Sequence, residues 1–166
     1  MTASSRILAI AVAAWTIWPA ATQQQPPADP LVGVWELNVA KSTAEGRRLP
    51  QKVRETITEH ASGLLIRRER VYGDGKVTDQ TFHYVFDGKN HPVELGGDAK
   101  HTHHTMRFER KGPGVIERKV DHDHGKVIST LRHTLSPDGK TITVLSFGSD
   151  DGTGKPYKAT VVFEKR

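Results

Sequence analysis

The dipeptide Gly-Lys recurs five times, at Gly75-Lys76, Gly88-Lys89, Gly125-Lys126, Gly139-Lys140 and Gly154-Lys155, and three copies read Asp-Gly-Lys. The copies are set among stretches rich in Val, Ile, Thr, Phe and Tyr. Asp-Gly between such stretches is the strongest short-range signal for a tight hairpin, because glycine accepts the positive φ that the turn demands. The spacing therefore predicts a ladder of hairpins.

The strands between the turns are read from period-two alternation. Residues 31–37 are expected as a first strand. A polar connection over residues 38–50 is expected to hold one short helical turn around residues 42–45. Strands are then predicted over residues 53–60, 64–72, 77–86, 102–109, 115–121, 127–135, 141–147 and 157–164. Residues 90–99 contain Pro92, Gly96 and Gly97, which allows one short edge strand there at most. About nine or ten short strands joined to their sequence neighbours make an antiparallel up-and-down meander. A meander of that length tends to close into a barrel, because closure removes edges that would template aggregation.

The N-terminus carries an address. Arg6 is the only charge before Asp29, and residues 7–18 are apolar apart from Thr16. This run is far short of the roughly 20 residues a spanning helix needs, and a polar, proline-bearing stretch follows it, so residues 1–22 read as a signal peptide, the alternative being an uncleaved N-terminal membrane anchor. Cleavage is expected after Ala21 or Thr22, leaving residues 23–30 as a disordered tether and residues 31–166 as one domain. That domain, about 140 residues, is long enough to bury about two-thirds of its unfolded surface. The chain has no cysteine, which rules out disulfides, thiolate zinc sites, cysteine nucleophiles and a lipid-modified N-terminal cysteine. The mature protein is thus expected in the periplasm or secreted, with no stable membrane anchor.

The formal net charge is +5, a mild excess scattered through turns and strands. The densest basic group is Arg67, Arg68 and Arg70. A nucleic-acid surface would need a denser basic stripe interleaved with aromatics, so nucleic acid is not an expected partner.

Residues 33–38, Gly-Val-Trp-Glu-Leu-Asn, followed by Lys41-Ser42, resemble a group of small exported bacterial lipocalin-like (calycin-type) proteins. So do residues 138–144, Lys155-Pro156 and Phe163-Glu164-Lys165. The resemblance implies a lipocalin-like β-barrel. It casts Trp35 as a plug at one end of the barrel, with Lys165 or Arg166 as its basic partner. It implies a binding role by analogy and brings no catalytic residues.

Two strand faces are candidates for a ligand site. Phe82, Tyr84 and Phe86 alternate onto one face and are expected to point to the core. Arg68 and Arg70 share a face with Leu64 and Ile66. If that face points inward, a guanidinium there needs a carboxylate, from a strand residue such as Glu117 or from a ligand. If the strand twists outward at Arg68, both arginines are solvated. His133 shares a face with Val127, Leu131 and Leu135 and is expected as a hydrogen-bonded core histidine, since no serine or carboxylate stands at a triad spacing.

Six of the nine histidines fall between residues 101 and 133. His101 and His103 would share a strand face, and His122 and His124 occupy the next hairpin tip. Antiparallel pairing across Gly112 brings the two pairs together, a candidate site for a divalent transition metal such as zinc, copper or nickel. Read otherwise, these are ordinary turn and rim residues.

Enzyme motifs fail on inspection. Thr134 stands where the first glycine of a P-loop ending in Gly139-Lys140-Thr141 belongs, and there is no Gly-x-Ser-x-Gly or His-Glu-x-x-His. No cofactor is expected. The sequence reads best as an exported, monomeric or weakly associating barrel for a small apolar or amphipathic ligand. Its alternatives are a periplasmic metal-binding protein using the histidine cluster, a packed barrel acting as an interaction module, or an enzyme with a noncanonical site, since small barrels host varied chemistries.

Overall fold

The computed structural model describes residues 28–92, 105–122, 126–149 and 154–166. Its turns follow from their composition. Gly75, Gly88 and Gly139 hold φ of +79°, +72° and +69°. In all three Asp-Gly-Lys copies the aspartate Oδ1 accepts the backbone N–H of the lysine, Asp74 from Lys76 at 3.0 Å, Asp87 from Lys89 at 2.9 Å and Asp138 from Lys140 at 3.0 Å. The aspartate closes the turn from its side chain, and glycine supplies the backbone angle.

The strands are β1 (Gly33–Leu37), β2 (Thr43–Glu45), β3 (Lys52–His60), β4 (Gly63–Val71), β5 (Val77–Val85) and β6 (His91–Pro92), then β7 (Thr105–Gly112), β8 (Val115–His122), β9 (Lys126–Leu135), β10 (Thr141–Ser149) and β11 (Pro156–Lys165). They form one sheet in the order β5-β4-β3-β1-β11-β10-β9-β8-β7-β6, with β2 also paired to β11. Every pairing is antiparallel. The ends of this path face each other, and the Tyr84 ring on β5 stacks on Phe108 of β7 with centroids 3.9 Å apart. The sheet is an antiparallel, nearly closed barrel whose seam lies between β5 and the β6–β7 edge.

The structure departs from the sequence reading in four places. The first strand begins at Gly33, because Leu31 turns inward and is buried in the core. The helical turn is a 3-10 turn at Val39–Lys41, where the Asn38 side chain accepts the Lys41 N–H. Thr43–Glu45 is strand, since β11 extends past β1 and offers it a free edge. The Ser42 hydroxyl bridges that break, donating to the Asn38 carbonyl at 2.7 Å and accepting the Val162 N–H at 3.0 Å. Finally, Asp87-Gly88-Lys89 makes a turn that closes no hairpin among the described residues. The short edge strand that the sequence allows over residues 90–99 is present as His91–Pro92, and it pairs with β7. Residues 1–27, which hold the expected signal peptide, lie outside the described residues.

Alternate residues of each long strand enter the barrel. At the end bearing the β3–β4, β7–β8 and β9–β10 turns the interior is apolar, with Ile57, Leu64, Ile66, Phe108, Ile116 and Ile142 buried. Toward the other end, the mouth, the inward positions become Glu55, Arg68, Arg118, Ser129 and Ser146, all buried.

Candidate functional site

Period two decides what faces the interior. On β4 the run Leu64, Ile66, Arg68, Arg70 carries the chain from apolar core to mouth on one face, so Arg68 is as deeply placed as its apolar neighbours. It pairs in register with Glu55 of β3, and its Nε donates to Glu55 Oε1 at 2.5 Å, with both side chains at 7% exposure or less. Glu117, suggested by the sequence as a partner, instead faces Lys119 at 3.4 Å. The Arg68 guanidinium also covers the Phe82 ring at 4.9 Å. Burial pushes the Glu55 carboxyl upward, but Arg68, then His133, outweigh it and hold Glu55 below the usual carboxylate range.

Arg70, next along the face, donates through Nη1 to the Gln80 side-chain oxygen at 2.5 Å. Burial, and then the Arg68 charge, bring its pKa down to about 10. Arg118 enters from β8 between Ile116 and Val120 and is buried. Its Nη1 lies 3.8 Å from the Met106 sulfur, and its Nε has no hydrogen-bond partner among the described residues. Burial lowers its pKa as well.

These three arginines and Glu55 line one cavity of about 380 Å³ in the mouth half of the barrel. Its apolar wall is Leu131, Val144, Val161 and Phe163, and Arg47 and Arg48 of the loop before β3 complete its rim. Ser146, also on the wall, donates to the Tyr157 hydroxyl at 3.2 Å. Among the described residues, three inward guanidiniums against one carboxylate leave a cationic interior beside an apolar wall.

The other predicted ligand residues sit elsewhere. Phe82, Tyr84 and Phe86 do share one face, but they line the seam and the core. Tyr84 stacks on Phe108, Arg110 lies 4.3 Å over Phe86, and Phe82 borders a second cavity of about 690 Å³ between β5 and β6. That second cavity opens outward. Among the described residues its carboxylate, Asp79, is already paired with Arg67 at 2.6 Å, and no buried charge lines it.

Trp35 is fully buried, and its Nε1 donates to the Leu31 carbonyl at 2.8 Å. Lys165 Nζ lies 5.2 Å over the indole ring, while Arg166 pairs with Glu36 at 2.6 Å. Asp29, just before, accepts from Arg110 of β7 and through its backbone N–H donates to Glu59 of β3. The segment ahead of β1 thus spans the seam at the apolar end.

His133 is buried, with its ring 6.1 Å from Tyr84 edge to face. The expected hydrogen bond is missing at Nε2, which has no partner among the described residues. Burial above all brings its pKa down to about 4. Of the candidate metal ligands, His101, His103 and His124 lie outside the described residues. The backbone of His122 closes β8 opposite Lys126, and its side chain is outside them too. Among the described residues no group of three or more His, Cys, Asp or Glu is placed to hold a metal ion, and no helix is long and apolar enough to cross a membrane.

Sequence reasoning missed Glu55 and Arg118. The signal was present, since Glu55 stands between Val53 and Ile57, and Arg118 between Ile116 and Val120, at the inward parity of their strands. A charge at an apolar-parity position is the cue.

No protein-family model and no curated protein matches the chain. Among solved structures the chain is similar to zebrafish ileal bile acid-binding protein complexed with cholic acid, at 14% identity and a TM-score of 0.50, covering 82% of this chain and 99% of that one. At that identity the likeness shows the fold, an all-β antiparallel barrel of the calycin, lipocalin-like type.

Proposed function

We propose that this chain is an exported barrel that binds a small amphipathic acid in its mouth cavity. The observation that carries the reading is the placement of Arg68, Arg70 and Arg118, with Glu55 as their one carboxylate among the described residues, around a cavity walled on the other side by apolar side chains. An apolar wall with a few convergent polar anchors is the usual make-up of a small-molecule site. A ligand carboxylate would relieve the desolvation cost of a guanidinium that otherwise meets only neutral groups. Support of the same kind comes from the structural neighbour, whose cholic acid is an amphipathic acid. Export is supported by Arg6 ahead of the apolar run at residues 7–18. Mass spectrometry of protein recovered from the periplasm or medium should find an N-terminus between Thr22 and Gln24, and intact Met1 on that protein would refute the assignment.

Displacement of an apolar dye by fatty acids, isoprenoid acids and aromatic acids tests the binding reading. Acids should bind more tightly than their neutral alcohols, and Arg70→Met should weaken the acids and leave the alcohols nearly unchanged. If no member binds more tightly than about 100 μM, roughly 5.5 kcal/mol, the barrel is a packed module and the cavity has no ligand.

A further inference from the structure

The charges around the mouth cavity do not balance for a monoacid, and the imbalance says more about the ligand. Arg68 is neutralised by Glu55 at 2.5 Å. Among the described residues Arg70 and Arg118 meet no carboxylate of their own, for Arg70 meets the uncharged Gln80 oxygen and Arg118 the Met106 sulfur. Both line the same cavity. They reach it from different walls, β4 and β8, which are separated along the sheet by β3, β1, β11, β10 and β9. Each is mostly or wholly withdrawn from water, and Arg70 is close enough to feel the Arg118 charge. One carboxylate satisfies one guanidinium fork and leaves the other cation buried beside it. A head group with two negative charges and three acceptor oxygens satisfies both.

The geometry points to a phosphomonoester as the head group of the bound amphiphile, bridging Arg70 and Arg118, with its tail along Leu131, Val144, Val161 and Phe163. This rests on the reading of the cavity as an amphipathic-acid site and narrows the ligand class. The Arg118 Nε, which has no hydrogen-bond partner among the described residues, supplies a donor for the bridge. Arg47 and Arg48 at the rim add positive potential along the path of entry.

The test compares dodecyl phosphate, dodecanoate and dodecanol by dye displacement on the mature chain. At pH 7.5 the phosphate should bind at least tenfold more tightly than the carboxylate. Its affinity should rise from pH 5 to 7.5 as the second phosphate proton leaves near pH 6, while that of dodecanoate stays level over the same range. Glu55, held below the usual carboxylate range, and His133, at about 4, keep one charge state through this window. Among the described residues the other titratable groups on the cavity wall are Arg47, Arg48, Arg68 and Tyr72. Arg118→Met should bring phosphate and carboxylate to within about threefold of each other, and the wild-type pH profile decides the matter if that variant does not fold. Equal affinity for phosphate and carboxylate, or a phosphate affinity flat from pH 5 to 7.5, overturns the phosphomonoester and leaves the acid site standing. Loss of binding by both acids overturns the site itself.

Discussion

Glu55 and Arg68 are register partners on β3 and β4, and their side chains meet inside the barrel at 2.5 Å, out of reach of solvent. Such a pair adds little net stability against well-packed apolar residues of the same size, but breaking it strands a buried charge. Glu55→Gln should therefore cost about 3 to 5 kcal/mol, because Arg68 then faces Arg70 and Arg118 with no counter-charge. The double variant Glu55→Leu/Arg68→Met should recover most of that loss. Urea unfolding of the two variants beside wild type measures both, and a Glu55→Gln cost below about 1 kcal/mol would place the carboxylate in water.

Trp35 ties β1 to the segment that crosses under the barrel, through its fully buried ring and its hydrogen bond to Leu31. Trp35→Ala should cost about 3 to 5 kcal/mol from lost packing and the cavity left behind. Trp35→Phe keeps most of the ring and removes the donor, so its cost should fall nearer the 1 to 3 kcal/mol of an orphaned buried carbonyl. Guanidinium denaturation midpoints distinguish the two, and equal costs would mean that the indole N–H carries the whole effect.

His133 gives the fold a pH dependence of definite sign. Burial lowers its native pKa from 6.5 to about 4, with Arg118 and Arg68 acting in the same direction and Glu55 opposing. Between those values the unfolded chain takes up a proton that the native state refuses. Stability should be full above pH 6.5, fall as pH drops toward about 4, and level off below that as the native ring also protonates. The loss from this residue is at most about 3 kcal/mol. His133→Leu should flatten this segment of the stability profile and leave the acid loss from the paired carboxylates in place. An unchanged slope between pH 6.5 and 4 in the variant would show that the native ring is solvated.

The turns and the alternation were legible because each rests on a local rule. Asp-Gly-Lys sets a backbone angle and a side-chain acceptor within three residues, and period two assigns Leu64, Ile66, Arg68 and Arg70 to one face whatever the tertiary context. Whether that face points in or out was not local, for it depends on which side of β4 the sheet curls toward. The partner of Arg68 was not legible either. Glu55 and Arg68 are adjacent only because the β3–β4 turn sets the register His60↔Gly63. Arg118 is further from sequence reasoning still, since its approach to the same cavity depends on closure of the whole barrel. The seam was missed for a different reason: Asp87-Gly88-Lys89 satisfies every rule for a tight turn, and only the pairing of His91–Pro92 with β7 shows that the ladder breaks there among the described residues.

That seam carries the last prediction. Among the described residues the path of backbone pairing ends at β5 on one side and at β6 on the other, and side chains meet across the gap, with Tyr84 stacked on Phe108 at 22° between ring planes. Asp29 and Arg110 tie the same seam at the apolar end. Hydrogen exchange in the native state should then find β5 protected at alternate amides only, those bonded to β4, with the others exchanging as an exposed edge. Phe108→Ala should cost about 3 to 5 kcal/mol and should selectively hasten exchange in β5 and β7 ahead of β10 and β11, which lie across the barrel. Uniform protection along β5 would mean that a strand pairs with it in solution, and uniform acceleration in the variant would mean that the ring supports the whole core rather than the seam.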